Sequence, residues 1–140
     1  MEQVIQRNLS PKQLLKRFIV HFATVFTTVG KAWVIDKIDE TVQTTGDYVA
    51  WGTGAGTAAV GDTTLFTEAS ETRVSATRDQ SAADTIRWVA TITADGTKTI
   101  TNAGNFTAST SGTLIVKGDF TGVDLVANDQ IEFTITLQQT

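Results

Sequence analysis

The chain has 140 residues, 41% hydrophobic and 19% charged, a size that suits one globular domain and leaves little room for a second. It has no Cys and a single His, His21, which excludes disulfide scaffolds, zinc knuckles, thiol nucleophiles and iron–sulfur chemistry. A net charge of −4 argues against a general nucleic-acid binder, because neutralising phosphates takes a surplus of Lys and Arg.

The sequence changes character near residue 40. Residues 1–40 carry six basic and four acidic groups, a balance of +2, and the remainder carries five basic and eleven acidic groups, a balance of −6. Residues 1–45 read as an amino-terminal arm and helix, and 46–140 as a β-sandwich on which the helix packs as part of one compact unit. Met1 to Leu9 has no helical stripe and reads as an extended arm. Ser10-Pro11 is a helix-start signal, since the hydroxyl accepts from an unpaired amide and Pro sits where no donor is needed. Leu14, Leu15, Phe18, Ile19, Phe22, Phe26 and Val29 then recur at offsets of three and four, which predicts an amphipathic helix ending near Gly30. Its apolar stretch is shorter than the roughly 20 residues a bilayer demands, and no small-x-small cleavage site follows, so neither a spanning helix nor a signal peptide is expected. Lys31 to Val42 alternates imperfectly and reads as a first strand or a connection.

Beyond Asp47 the period is two. Tyr48 to Trp51 is a short strand running into the Gly52-Thr53-Gly54-Ala55-Gly56 run, which reads as a flexible turn. It lacks the Gly-Lys-Ser/Thr ending and the following helix of a phosphate loop. Glu71 to Thr77 alternates, and Arg78 to Ser81 breaks the run. Ile86, Trp88, Ala90 and Ile92 share one face of the next strand. Ala94-Asp95-Gly96-Thr97 has the Asp-Gly signature of a tight hairpin, with Lys98 to Asn102 returning against the Trp88 strand. Leu114 to Phe120 and a final strand alternating Ile131, Phe133, Ile135 and Leu137 complete the pattern. With 26 Thr and 11 Gly against one Pro, the expected class is mainly β, an antiparallel sandwich with one amino-terminal amphipathic helix.

Nothing in the sequence assigns a catalytic residue, a cofactor site or a metal ligand. The carboxylates fall in presumed turns, where they bond neighbouring amides, and no spaced Asp-x-Asp-x-Asp run marks calcium. Among the aromatics, Trp88 reads as core, whereas Trp33, Tyr48 and Trp51 are candidates for contact with a glycan.

Four stretches resemble a recurrent small β-sandwich domain of virion proteins in tailed bacteriophages. They are Trp51-Gly52-Thr53-Gly54 followed by Asp62-Thr63-Thr64-Leu65 and Glu68; Thr99 to Phe106; Gly112-Thr113-Leu114; and Asp129 to Leu137. In that family the middle motif usually reads Ile-x-Glu-Ala-Gly-Leu-Phe, from which Asn102 and Asn105 depart. The resemblance implies a structural role without chemistry, on the head surface or in the tail, and the leading expectation is a decoration or cement protein, gripping the major capsid protein on the outside of the head as a homo-oligomer, expected to be a trimer. Neither nucleic acid nor membrane is an expected partner. The expected interface residues are Val4, Ile5, Arg7, Leu9, Lys12, Lys16, Arg17, Phe18 and Phe22. The alternative is a tail or fibre accessory protein that binds a host glycan through Trp33, Tyr48 or Trp51.

Overall fold

A computed structural model describes the backbone of residues 2–8, 20–41 and 44–138, with side chains from residue 24 onward. The clean alternation at the carboxyl end forms β9 (Gln130–Gln138), whose Ile131, Phe133 and Ile135 are fully buried while Glu132, Thr134 and Thr136 take the other face. It pairs antiparallel with β6 (Thr85–Thr93), placing Trp88 opposite Ile135, Ala90 opposite Phe133 and Ile92 opposite Ile131. Period-two burial on neighbouring strands thus builds one apolar layer. Ile86, at the outer end of the β6 stripe, stays partly exposed.

Nine strands and one helix are present among the described residues, in two antiparallel sheets. The first sheet runs β5 (Thr77–Ala82), β6, β9, β1 (Glu2–Asn8). The second runs β4 (Val74–Ser75), β3 (Tyr48–Gly52), β7 (Lys98–Phe106), β8 (Leu114–Leu125). The strand β2 (Val20–Phe26) joins them: residues 20–23 pair with β1 and Thr24 to Phe26 pair with β8. A strand that changes sheets makes the closed corner of a sandwich. Between the layers lie Val49, Trp51, Trp88, Ile92, Ile100, Ile115, Leu125 and Phe133, with the Trp51 and Phe133 rings edge to face at 6.1 Å.

The amino-terminal third differs from expectation. The offsets in Leu14 to Val29 predict a helix, but Val20 to Phe26 is β2, and the proposed start at Ser10-Pro11 lies outside the described residues. Val, Phe and Thr dominate that segment. Such residues favour a strand once neighbours on both sides satisfy its backbone, and β1 and β8 do so. The arm is β1, an interior strand between β2 and β9. The helix is α1 (Thr28–Ile38), formed by the segment expected to be strand or connection. Thr27 caps it: its Oγ1 accepts from the Gly30 amide at 2.9 Å and donates to the Leu114 carbonyl at 2.6 Å. Gly30 is therefore no stop. It lies in the first turn because an added Cβ would meet the Ile115 carbonyl oxygen at 2.5 Å. Residues 1–45 thus supply two strands of the sandwich as well as its helix.

Two connections also differ. Arg78 to Ser81 continues a strand, β5, which pairs with β6 and bears the bulge between Gln80 and Ala82. Ala94 to Thr97 is a crossover and not a hairpin, because β6 pairs with β5 and β9 while β7 pairs with β3 and β8 in the other sheet. Ala94 is held by the Asp129 carbonyl and itself accepts from the Asn128 amide, so the Asp-Gly pair turns between layers.

Removing the side chain at the middle of the core leaves a cavity that two sheets cannot close together. Phe133→Ala is expected to cost about 3–5 kcal/mol in chemical denaturation, with the far-ultraviolet spectrum of the folded state unchanged.

Candidate functional site

Residues 53–73 contain no strand, yet they cover the outer face of the second sheet. Register places Tyr48, Ala50, Phe106, Leu114 and Lys117 on that face, and Leu65 from the covering segment packs with Ala50, Phe106 and Leu114 in a second, smaller core. The alternate glycines of Gly52 to Gly56 make the close approach possible. A Cβ on Gly52 would stand 2.4 Å from the Phe66 carbonyl oxygen, one on Gly54 2.8 Å from its carbonyl carbon, and one on Gly56 2.7 Å from its ring. The run expected as a flexible turn is a side-chain-free bed for Phe66, pinned by the Gly54 amide to the Phe66 carbonyl and the Thr53 amide to the Thr67 carbonyl. Thr67 pays in strain, with φ of 50° for a β-branched residue.

Side chains fasten the rest. Asn102 accepts from the Phe66 amide and donates to the Phe66 carbonyl, both at 3.0 Å, so one carboxamide does the work of a paired strand residue. Asn105 fills the register slip between β7 and β8, accepting from the Val116 amide and donating to the Gly46 carbonyl, each at 3.1 Å. These are the two departures from the family pattern, and in this chain both are buried backbone clamps. Arg73 grips Glu68 with two nitrogens, donates to the carbonyls of Ala108 and Ser111, and stacks 3.5 Å from the Phe106 ring centroid.

Among the described residues, Lys117 is the deepest charge. Its side chain is 1% exposed, and Nζ donates to Asp62 Oδ2 and the Thr64 carbonyl, each at 2.9 Å, beneath the Phe66 ring at 3.1 Å. Partial burial pushes the Asp62 carboxyl up, but Lys117 and the Ala59 amide outweigh it and hold it below its ordinary value. A second lysine, Lys98, donates to Glu71 and, at 2.6 Å, to Asp95. Glu71 also accepts from Trp51 Nε1 at 3.0 Å and the Asp95 amide at 3.2 Å.

The expected glycan contacts do not form a platform. Trp51 is 1% exposed with its indole nitrogen committed to Glu71, so it is a core residue. Trp33 is half-buried on α1 and donates to Thr44, whereas half-buried Tyr48 packs on the opposite-facing smaller core. Of the expected interface residues, Leu9, Lys12, Lys16, Arg17 and Phe18 lie outside the described residues. On β1, Val4 stands opposite Thr134, Ile5 opposite Phe133 and Arg7 opposite Ile131, while Phe22 of β2 stands opposite Gln3. Among the described residues, the two most exposed large apolar side chains lie together on α1: Ile35 is 63% exposed and Ile38 75%. The pair lies in a segment whose imperfect alternation reads as strand or connection, and no helical face singles it out before the structure is known. The signal for Lys117 is a lone cation directly after the apolar run Leu114-Ile115-Val116, and Asn102 and Asn105 stand out as departures from a pattern.

No group of His, Asp or Glu able to hold a metal occurs among the described residues, and no described helix is long and apolar enough to cross a membrane. No family model, curated protein or solved structure matches the chain.

Two outcomes test the covering segment. Lys117→Met takes the cationic donor from Asp62 and the Thr64 carbonyl and is expected to cost about 1–3 kcal/mol, read by chemical denaturation. Because the Asp62 carboxyl titrates lower when folded than unfolded, its contribution is complete above its unfolded value of 3.8 and drains away as pH falls through the folded one. The stability gap between wild type and Asp62→Asn should therefore be widest near neutral pH and narrow below about pH 4.

Proposed function

We propose that this chain is a structural subunit of a tailed-bacteriophage virion that acts by adhesion and catalyses no reaction. In this reading it is a capsid decoration, or cement, protein, binding the major capsid protein on the outside of the head as a homo-oligomer, a trimer in the simplest arrangement. The observation that carries the reading is where the resembling residues fall. Gly52, Gly54, Asp62, Leu65, Glu68, Phe106 and Leu114 are scattered over more than 60 positions of sequence, yet they meet in the layer formed by residues 53–73 on the second sheet. Their order and spacing are then requirements of one tied-down fold, which favours a shared architecture over coincidence. The charged and amide groups there bind one another and the backbone, as suits a rigid subunit.

The direction of docking follows from charge and topology. The strands β1 and β2 and the helix α1 lie together at the closed corner and carry three basic and two acidic groups, whereas the chain from residue 41 onward carries five basic and eleven acidic ones. The closed corner faces the shell and the acidic sheets face solvent. Ile35 and Ile38 give that corner an apolar foothold, and repetition of the contact around an oligomer multiplies a weak grip into a firm one.

Removing residues 1–9 would pull β1 from between β2 and β9, so substitutions on α1 are the cleaner probe. The double variant Ile35→Asp, Ile38→Asp alters only exposed side chains and should fold normally while losing at least about tenfold in cosedimentation with purified empty heads. Copy number in purified virions tests the placement. On the order of hundreds of copies is the expected result for a symmetric shell. A few dozen or fewer would move the protein to the tail, and absence from the particle would end the reading.

A further inference from the structure

We propose that Lys98 and Glu71 are joined by an intramolecular amide bond, formed spontaneously with Asp95 as the catalytic carboxylate. The proposal stands apart from the virion reading. It rests on a cluster in which the Lys98 ammonium contacts two carboxylates at once, Glu71 and Asp95, in a site where the lysine side chain is 13% exposed and that of Glu71 7%.

Each group has a part to play. Trp51 Nε1 donates to Glu71 Oε2, the oxygen that remains as the amide carbonyl, and so stabilises the negative charge that grows there during attack. The other oxygen, Oε1, is the one bonded to Lys98 and to the Asp95 amide, and it is the one that departs. Asp95 is 55% exposed and held by Ser70 at 2.9 Å, within reach of both the nucleophile and solvent. One ammonium proton passes to the Glu71 carboxylate, and the freed amine attacks its Cδ. A second proton moves from nitrogen to Asp95, which delivers it to the departing hydroxyl. The Cδ–N bond forms, the Cδ–O bond breaks, one water leaves and Asp95 is regenerated; no oxidant or reductant takes part.

Amide formation between separate ions in water is slow, and placement is what speeds it. Intramolecular reactions between well-aligned groups reach effective molarities of roughly 10⁵–10⁸ M, because the freedom lost in bringing the groups together is given up on folding. The second buried ion pair provides the contrast within the same fold. Lys117 has one carboxylate, Asp62, and its other acceptor is the Thr64 carbonyl. Without a second carboxylate to carry the proton, that pair stays ionic.

The test is the intact mass of the full chain after denaturation. The expected value is about 18 Da below the sequence mass, one water lost in forming the link that proximity makes possible. Trypsin should release a branched product joining residues 38–73 to 88–117, uncut at Lys98. Lys98→Arg and Asp95→Asn should each give their full sequence mass; the second keeps the lysine and Glu71 in place and changes an exposed residue, so it does not depend on tolerance of a core change. A wild-type chain at full sequence mass overturns the proposal, as does a mass deficit that maps to Lys117. A deficit that survives Asp95→Asn overturns the role given to Asp95.

Discussion

Strand β2 is paired along its first half to one sheet and along its second half to the other, so the two layers are one hydrogen-bonded surface folded back on itself. Much of the architecture follows from that continuity. Because the corner is closed by backbone, the sheets cannot slide, and the inward rows of β6 and β9 are committed to face those of β3, β7 and β8. The free ends of the surface, β4 and β5, fall at the opposite side, where β4 is two residues long and β5 is charged and bulged. Both features discourage pairing with another chain's edge. The amino-terminal strands are therefore the closure of the sandwich, and any surface used for docking has to be presented by it as a rigid body.

What the sequence revealed tracks the kind of force that decides each element. The strands β6 and β9 were legible because burial on one face imposes a period of two, and nothing competes with it in Trp88 to Ile92 or Ile131 to Ile135. The segment from Val20 to Phe26 carries apolar residues compatible with both periods, and its choice depends on β1 and β8, which are remote in sequence. Likewise, Asp95-Gly96 has hairpin chemistry, but which strands pair is decided by the whole surface, and the Asp95 side chain is taken up by Ser70 and Lys98. The helix was missed where it lies because Thr27 caps it in competition with a pattern read through it, and because Gly30, an apparent stop, answers to the carbonyl of Ile115.

The candidate site was legible as composition but not as geometry. Gly52, Gly54 and Gly56 announce a backbone that something approaches closely, without saying that the visitor is Phe66. Asn102 and Asn105 stood out only against a pattern, and their roles differ: one binds the covering segment, the other repairs a slip between β7 and β8. Trp51 shows the limit of reading aromatics as a surface platform. A Trp beside glycines suggests an open ring, but the alternation of β3 turns Trp51 inward with Val49 and leaves Ala50 and Tyr48 outward.

The distribution of rigidity bears on how such a molecule could act. Its long 53–73 segment, where loops of this length commonly move or bind, is instead tied down by Lys117, Asn102, Arg73 and Asp119, the last accepting from the Ala58 amide at 2.7 Å. A protein that must close over a substrate keeps such a segment loose; one that must transmit load between neighbours benefits from fixing it. Adhesion also gains from a rigid surface, because little conformational freedom remains to be lost when contact is made. The polar groups buried at this layer thus serve a shape, and Ile35 and Ile38 on α1 are the most exposed large apolar side chains that shape presents among the described residues.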